Sequence, residues 1–387
     1  MLLTIISFAA VLCVLVFAHE LGHFMIARRF GVKAEEFGFG FPPRIFGVYK
    51  NTAGKWKFVF GSKKAVGAKS TVYSINWLPL GGFVKIKGEN GEDETDADSF
   101  ACRPIWQRSF ILSAGVAMNI VLAAVLISFG FMIGLPQSLD GDLSSRANVS
   151  HRQIQIAQVM KNTPAESAGL KAGDYIVGID SKSFSNYHEL QDYTALNQGN
   201  ELYYKIRRGN DIIDKYIVPR RIEGVDKAGI GIAIAEIGVV SYPWHIAVLE
   251  GTKTTFILTW NIIMAFYELI KGLISGHGVT ADLSGPVGIA NMAGQVARMG
   301  FVYLLQFTAL LSINLAVINF IPFPALDGGR VLFLIIEKIK KSPIKKEVEA
   351  AMHNIGFALL MILVLLVTFR DVGRFSGGLK AIFEKIF

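Results

Sequence analysis

The chain has 387 residues, of which 52% are hydrophobic and 18% charged, with a net charge of +8. That charge content is too low for a string of soluble domains. The basic excess excludes nothing by itself, but it is no nucleic-acid footprint: Arg28, Arg29, Lys33, Lys338, Lys340, Lys341, Lys345 and Lys346 flank apolar runs, where they set orientation in a bilayer.

Residues 1–18, 109–139, 299–326 and 350–369 contain no Asp, Glu, Lys or Arg. A hydrocarbon core of ~30 Å needs about 20 apolar helical residues, so each run is a spanning candidate. The first has no basic stretch before Leu2 and no small-x-small cleavage site before Arg28, and reads as a retained span rather than a signal peptide. Cys13 inside it and Cys102 before the second span give neither a disulfide framework nor a thiolate metal pattern. Residues 254–267 are also uncharged but number only 14, the length of an interfacial or re-entrant helix.

The positive-inside rule places the basic groups after span one and before span four in the cytoplasm, so both termini lie outside. The expected class is a membrane α-helical protein with four transmembrane helices, a membrane-associated cytoplasmic β region and a periplasmic α+β insert. In chain order this gives a first span (1–27), the β region (28–106), a second span (107–135) and a periplasmic segment (136–238). An interfacial amphipathic region (239–300), a third span (301–329), a cytoplasmic basic linker (330–350), a fourth span (351–370) and a short tail (371–387) follow. In residues 32–90, alternation in VKAEEFGFGF and FVKIK predicts short strands. Their phenylalanines, Trp56 and Trp77 suit either a sheet core or an interface belt. Glu89–Asp98 reads as a solvated acidic loop.

Within the insert, TPAESAGLKAGDYIVGIDSKSF predicts a helical turn, a glycine-ended cap and an alternating strand, followed by a helix at Tyr187–Ala195 and a strand at LYYKIRRG. This pattern resembles a PDZ domain. No carboxylate-binding glycine loop precedes it, so a gating or docking module is expected rather than capture of C-terminal peptides.

The sharpest chemical signal is HELGH. Four residues apart on a helix, His19 and His23 share a face and can bind one metal, with Glu20 beside them to take a proton from water. Ionisable groups inside a span cost roughly 2.5–3.5 kcal/mol each, so three in five positions demand partners, which a metal supplies. The extended HExxHxxGxxH pattern fails at Ile26 and Phe30, and Glu35 and Glu36 fall in strand-like sequence. Asp327, in NFIPFPALDGGR, lies where span three reaches the cytoplasmic side, the depth of His19 and His23. Pro322 and Pro324 end the helix there, and Gly328 and Gly329 permit an unusual turn. His277 and Asp282 fall on the opposite side and read as loop residues. His353 opens span four and reads as interfacial, and His151, His188 and His245 carry no assigned role.

HELGH in a first span, paired with Asn319-x-x-Pro322-x-Pro324-x-Leu326-Asp327-Gly328 in a later one, resembles the site-2 protease family. Over nearly its full length the chain looks like the regulator-of-sigma-E protease branch in a single-PDZ form. Gly115-x-x-x-Asn119 and the SGPVGIA run (Ser284–Ala290) fit that branch, although the proline often found in the former is missing. The resemblance implies an intramembrane zinc metalloendopeptidase of the bacterial inner membrane, with Zn2+ on His19, His23 and Asp327 and Glu20 as base. Asn319 would hold the substrate backbone. The implied partners are transmembrane protein substrates within the lipid bilayer, such as trimmed anti-sigma factors and remnant signal peptides. A silent scaffold is disfavoured by the intact Glu20, and a metal transporter by spans two and four, which lack carboxylates, and by the absence of an internal repeat.

Overall fold

A computed structural model describes all residues except 62, 64, 66–69, 90–94, 140–143, 145, 185, 210, 223–226, 277–283, 343 and 387, and the side chains of 80, 273 and 374–386. The chain divides into two compact units, Met1–Ser128 with Val248–Phe387, and Phe129–Ala247.

The first unit opens with α1 (Leu2–Arg29), followed by β1 (Ala34–Lys50), β2 (Trp56–Phe60), β3 (Val72–Ile86) and α2 (Ile105–Ile133). The strands form a sheet in the order β2-β1-β3. Both long strands bend, so that Glu36–Phe39 is flanked by Gly82–Lys85 and by Val72–Ile75 of β3. The bend of β3 rests on α1. Cys13 Sγ donates to Pro79 O at 2.8 Å, and a Cβ on Gly81 would lie 2.5 Å from Val16 Cβ. Further along, Val84 N–H donates to Glu20 Oε2 at 3.1 Å. Cys13, Val16 and Glu20 share one face of α1, so the last leg of β3 runs alongside the first span instead of lying wholly beyond its end. The sheet aromatics divide: Phe37 and Tyr49 are buried in its core, whereas Trp56, Phe58 and Trp77 are 58%, 66% and 67% exposed.

The second unit comprises β4 (Leu135–Ser138), β5 (Asn148–Val159), α3 (Pro164–Ser167), β6 (Tyr175–Ile179), α4 (Tyr187–Leu196), β7 (Leu202–Arg208), β8 (Asp211–Ile217) and β9 (Ile232–Ser241). These strands make one sheet, β4-β9-β5-β6-β7-β8. Alternation places Ile154, Ile156, Ile176, Tyr204 and Ile206 in a core closed by Leu190 of α4. Asp174 anchors this core. It is 1% exposed, receives Arg208 Nε and Nη2 at 2.7 Å each, and accepts Lys171 N–H at 2.8 Å. Burial alone would raise its carboxyl; the guanidinium and the backbone donor outweigh it and hold the group below the ordinary carboxylate range. The stability this supplies is present above the unfolded pKa of about 4 and is lost as pH falls through the lower folded value. Asp174→Asn should therefore cost this unit about 1–3 kcal/mol at pH 7 and flatten its acid dependence. Amide exchange of residues 154–206 in the full chain reads both effects.

The chain then returns to the first unit through α5 (Trp244–Ile274), α6 (Pro286–Met299), α7 (Phe301–Phe320), α8 (Asp327–Lys340) and α9 (Lys346–Ile386). Among the described residues, four helices are long and apolar enough to cross a membrane: Leu2–Arg29, Ile105–Ile133, Phe301–Phe320 and Lys346–Gly373. Helix α5 is not among them; it runs for 31 residues, well beyond the uncharged stretch 254–267 on which an interfacial or re-entrant helix was expected. Only 6% of the apolar window of the fourth helix is buried, so most of its apolar surface is left uncovered by the rest of the described chain. The basic stretch 330–350 is largely helical, in α8 and the start of α9, and α9 runs on through 371–386. Near the end of span four, Asp371 Oδ2 accepts Gly285 N–H (2.9 Å) and Gly288 N–H (2.8 Å), satisfying the first turn of α6 within the SGPVGIA run.

Candidate metal centre

Helix α1 carries His19 and His23 one turn apart, each 7% exposed. Asp327 is the first residue of α8. Their ligand atoms form a small triangle. His19 Nε2 lies 3.1 Å from His23 Nε2 and 3.0 Å from Asp327 Oδ2, and His23 Nε2 lies 3.4 Å from the same oxygen. Among the described residues no other group of three His, Cys, Asp or Glu converges in this way.

The protonation pattern fits a cation. His23 Nδ1 lies 2.8 Å from Ile111 O and must donate to it, so Nε2 presents a lone pair to the triangle. Asp327 Oδ2 is shielded from solvent and has no hydrogen bond of good geometry despite its two close nitrogens. Lone pairs crowded at this spacing repel unless a proton or a metal ion sits between them. Tetrahedral zinc with bonds of about 2.0–2.1 Å sets its ligands roughly 3.3 Å apart, which these separations match. On the other imidazole, His19 Nδ1 faces the buried Asn119 amide at 3.3 Å. The amide ends are isosteric, and turning the oxygen to His19 lets Nδ1–H donate and gives Asn119 Oδ1 a partner it otherwise lacks.

The approach of the helices depends on small residues. A Cβ on Gly22 would lie 2.3 Å from Ala114 O, and one on Gly115 would lie 2.4 Å from His23 Nε2 and 2.8 Å from His19 Nε2. Gly115 and Asn119, one turn apart on α2, thus form the wall behind both imidazoles. Gly328 and Gly329 behave differently from expectation. Neither has positive φ. Both lie in the first turn of α8, where Cβ atoms would meet Phe320 O and Ile321 O (2.4 Å each) and Phe323 O (2.2 Å). The left-handed residue of the turn is Ala325, at φ 80°. Helix α8 is fixed by Arg108–Glu337 (2.8 Å) and by the Arg330–Glu89 ion pair.

The remaining sequence candidates are placed as follows. Glu20 follows His19 on α1, half-buried, with its carboxylate tied to Val84. Asn319 is half-buried in the last turn of α7. His277 and Asp282 lie outside the described residues, and His151, His188 and His245 belong to the second unit. Reading the sequence missed the steric role of Gly115 and the contact of Asn119 with His19; the Gly115-x-x-x-Asn119 spacing was the available signal for both.

The sequence profile of Peptidase family M50 matches residues 7–363. The chain belongs to peptidase family M50. It is 31% identical to the regulator of sigma-W protease RasP of Bacillus subtilis, an alignment covering 96% of this chain and 98% of that protein. It is 29% identical to the zinc metalloprotease RasP of Oceanobacillus iheyensis, with 96% and 99% covered. Among solved structures, the PDZ domain of an SdrC-like protein from Listeria innocua is similar at 30% identity, with 21% of this chain and 92% of that domain covered and a TM-score of 0.20. This M50 protein is a RasP-like zinc metalloprotease of the site-2 protease family and an integral membrane protein.

Proposed function

We propose that this M50 protease is an intramembrane endopeptidase for single-span membrane proteins, with zinc held by His19, His23 and Asp327 and with Glu20 as general base. One observation carries the reading: two imidazoles from α1 and a carboxylate from the first residue of α8 meet in a largely buried triangle 3.0–3.4 Å on a side. Bound there, zinc supplies a Lewis acid for the scissile carbonyl and makes the attacking water more acidic. Glu20 accepts the proton of that water and passes it to the departing amine nitrogen.

A transmembrane helix hides its peptide bonds, so the substrate must unwind and be held extended. The last leg of β3, Gly82–Ile86, lies beside Glu20 and suits addition of a substrate strand. Asn319 offers an amide for the substrate backbone near the metal. The charge pattern orients the triangle toward the cytoplasm and the second unit toward the periplasm. That unit acts as a PDZ module for substrate docking. A cavity of about 360 Å³ lies between Leu190 and Thr194 of α4 and Gly231–Ile234, with Met160 and Tyr204 in its wall. Its glycine run, Gly229–Ile232, follows the SAGLKAGD motif and lines this cavity, which suits capture of a trimmed C-terminus. Anti-sigma factors already cut outside, and remnant signal peptides, are substrates of this chemistry.

The test is cleavage in proteoliposomes of a single-span substrate. Activity should disappear on chelation, return with zinc, and be absent from Asp327→Ala. Cleavage by the zinc-free protein or by Asp327→Ala at the wild-type rate would remove the basis for the reading.

A further inference from the structure

Between α7 and α8 the chain has only Ile321–Leu326 in which to turn and deliver Asp327 to the imidazoles. Ala325 makes this possible at φ 80°. The left-handed region strains a non-glycine residue, and such a residue persists only where its surroundings hold it. The holding group comes from span four. Ala325 N–H donates to His353 Nδ1 at 2.8 Å. The imidazole is braced by Phe333 of α8, with ring centroids 5.3 Å apart. Three residues on, Gly356 brings α9 so near the turn that a Cβ there would lie 2.4 Å from Pro324 O.

The other ring nitrogen does not compete for this role. With Nδ1 accepting, the proton resides on Nε2, which has no hydrogen-bond partner; Glu349 Oε1 stands 4.0 Å away. The ring also borders a cavity lined by Arg330, Glu349 and Asn354, but among the described residues its one hydrogen bond is the one it accepts from Ala325.

We propose that His353 is a positioning residue for the third metal ligand: by accepting Ala325 N–H it fixes the turn that aims Asp327, and span four is thereby part of the active-site machinery. The proposal rests on Asp327 being a zinc ligand. His353 never touches the metal or the substrate; it acts through two residues of backbone. Outer partners of metal ligands are typically worth 10–100-fold in metal affinity.

The experiment uses the full-length protein in detergent micelles and measures zinc affinity by competition with a chromophoric chelator, alongside kcat and KM. His353→Leu should weaken zinc binding by about 10–100-fold and lower kcat with KM little changed. His353→Asn, whose Oδ1 can take the place of Nδ1, should restore most of the affinity. Adding Ala325→Gly to His353→Leu should also recover affinity, because glycine occupies positive φ without a clamp. Wild-type affinity in His353→Leu, with Asp327→Ala deficient, would overturn the positioning role while leaving the ligand assignment intact. Equal zinc affinity in wild type and Asp327→Ala would instead overturn the ligand assignment. Should the leucine variant fail to fold, His353→Asn and the exchange rate of the Ala325 amide decide. An asparagine variant as deficient as a ligand deletion, or an Ala325 amide exchanging as fast as an exposed loop, counts against the proposal.

Discussion

Glu20→Gln is expected to bind zinc as wild type does and to lose turnover by at least about 10²–10⁴-fold, the usual worth of a positioned acid–base group. The substitution is close to isosteric. A glutamine oxygen can still accept Val84 N–H, now made at 3.1 Å to Glu20 Oε2, so the link between α1 and β3 survives. The triangle of His19, His23 and Asp327 contains no atom of Glu20, so the ligand set is untouched. What disappears is a group able to take a proton from water and return it to the amine. Zinc content and single-turnover cleavage, measured on one preparation, separate these effects. Turnover near the wild-type rate would refute the assigned base; loss of zinc would show that Glu20 shapes the site rather than serving it.

Gly115→Ala should abolish tight zinc binding without unfolding the protein. A Cβ there would stand 2.4 Å from His23 Nε2 and 2.7 Å from His19 Cε1. A flexible side chain could swing away from such a clash at little cost. These imidazoles cannot, because His23 Nδ1 is bound to Ile111 O and His19 is backed by Asn119. One must leave the triangle, and a departed ligand lowers metal affinity by 100-fold or more on the scale set by even outer partners. Alanine is the better helix former by about 1 kcal/mol, so the secondary structure of α2 should be retained. That opposition makes the result readable: circular dichroism near wild type together with lost zinc locates the damage at the metal site. Wild-type zinc affinity in this variant would mean that the imidazoles do not pack against α2 as described.

Much of the site was legible because its signals are local. HELGH is a spacing within one helix, and its placement inside an apolar span makes an unpartnered reading expensive. Asp327 was reachable through a global but simple rule, since charge asymmetry and an even number of spans put the end of the third helix at the depth of the histidines. The four candidate spans follow from composition, and the strands after the first from alternation, although strands expected to be short run to 17 residues in β1 and 15 in β3.

Other features are pairwise, and no single segment encodes them. Gly115 reads as an ordinary small residue in a span until α1 is packed on it. Trp56 and Trp77 fit a core or an interface equally well until their exposure is known. Gly328 and Gly329 suggested a flexible turn; in the fold they are the flat surface on which the first turn of α8 meets the Phe320–Phe323 carbonyls, and Ala325 takes the strained conformation instead. His353 is separated from Asp327 by a basic stretch and looked interfacial, yet its ring is hydrogen-bonded to the turn that carries Asp327. The sequence by itself determined which residues could bind a metal and which segments lie in lipid, because periodicity and transfer energy are properties of a segment. Only the tertiary structure decided which helices approach closely enough to make three ligands one site, because excluded volume and hydrogen-bond direction exist only between segments already in contact.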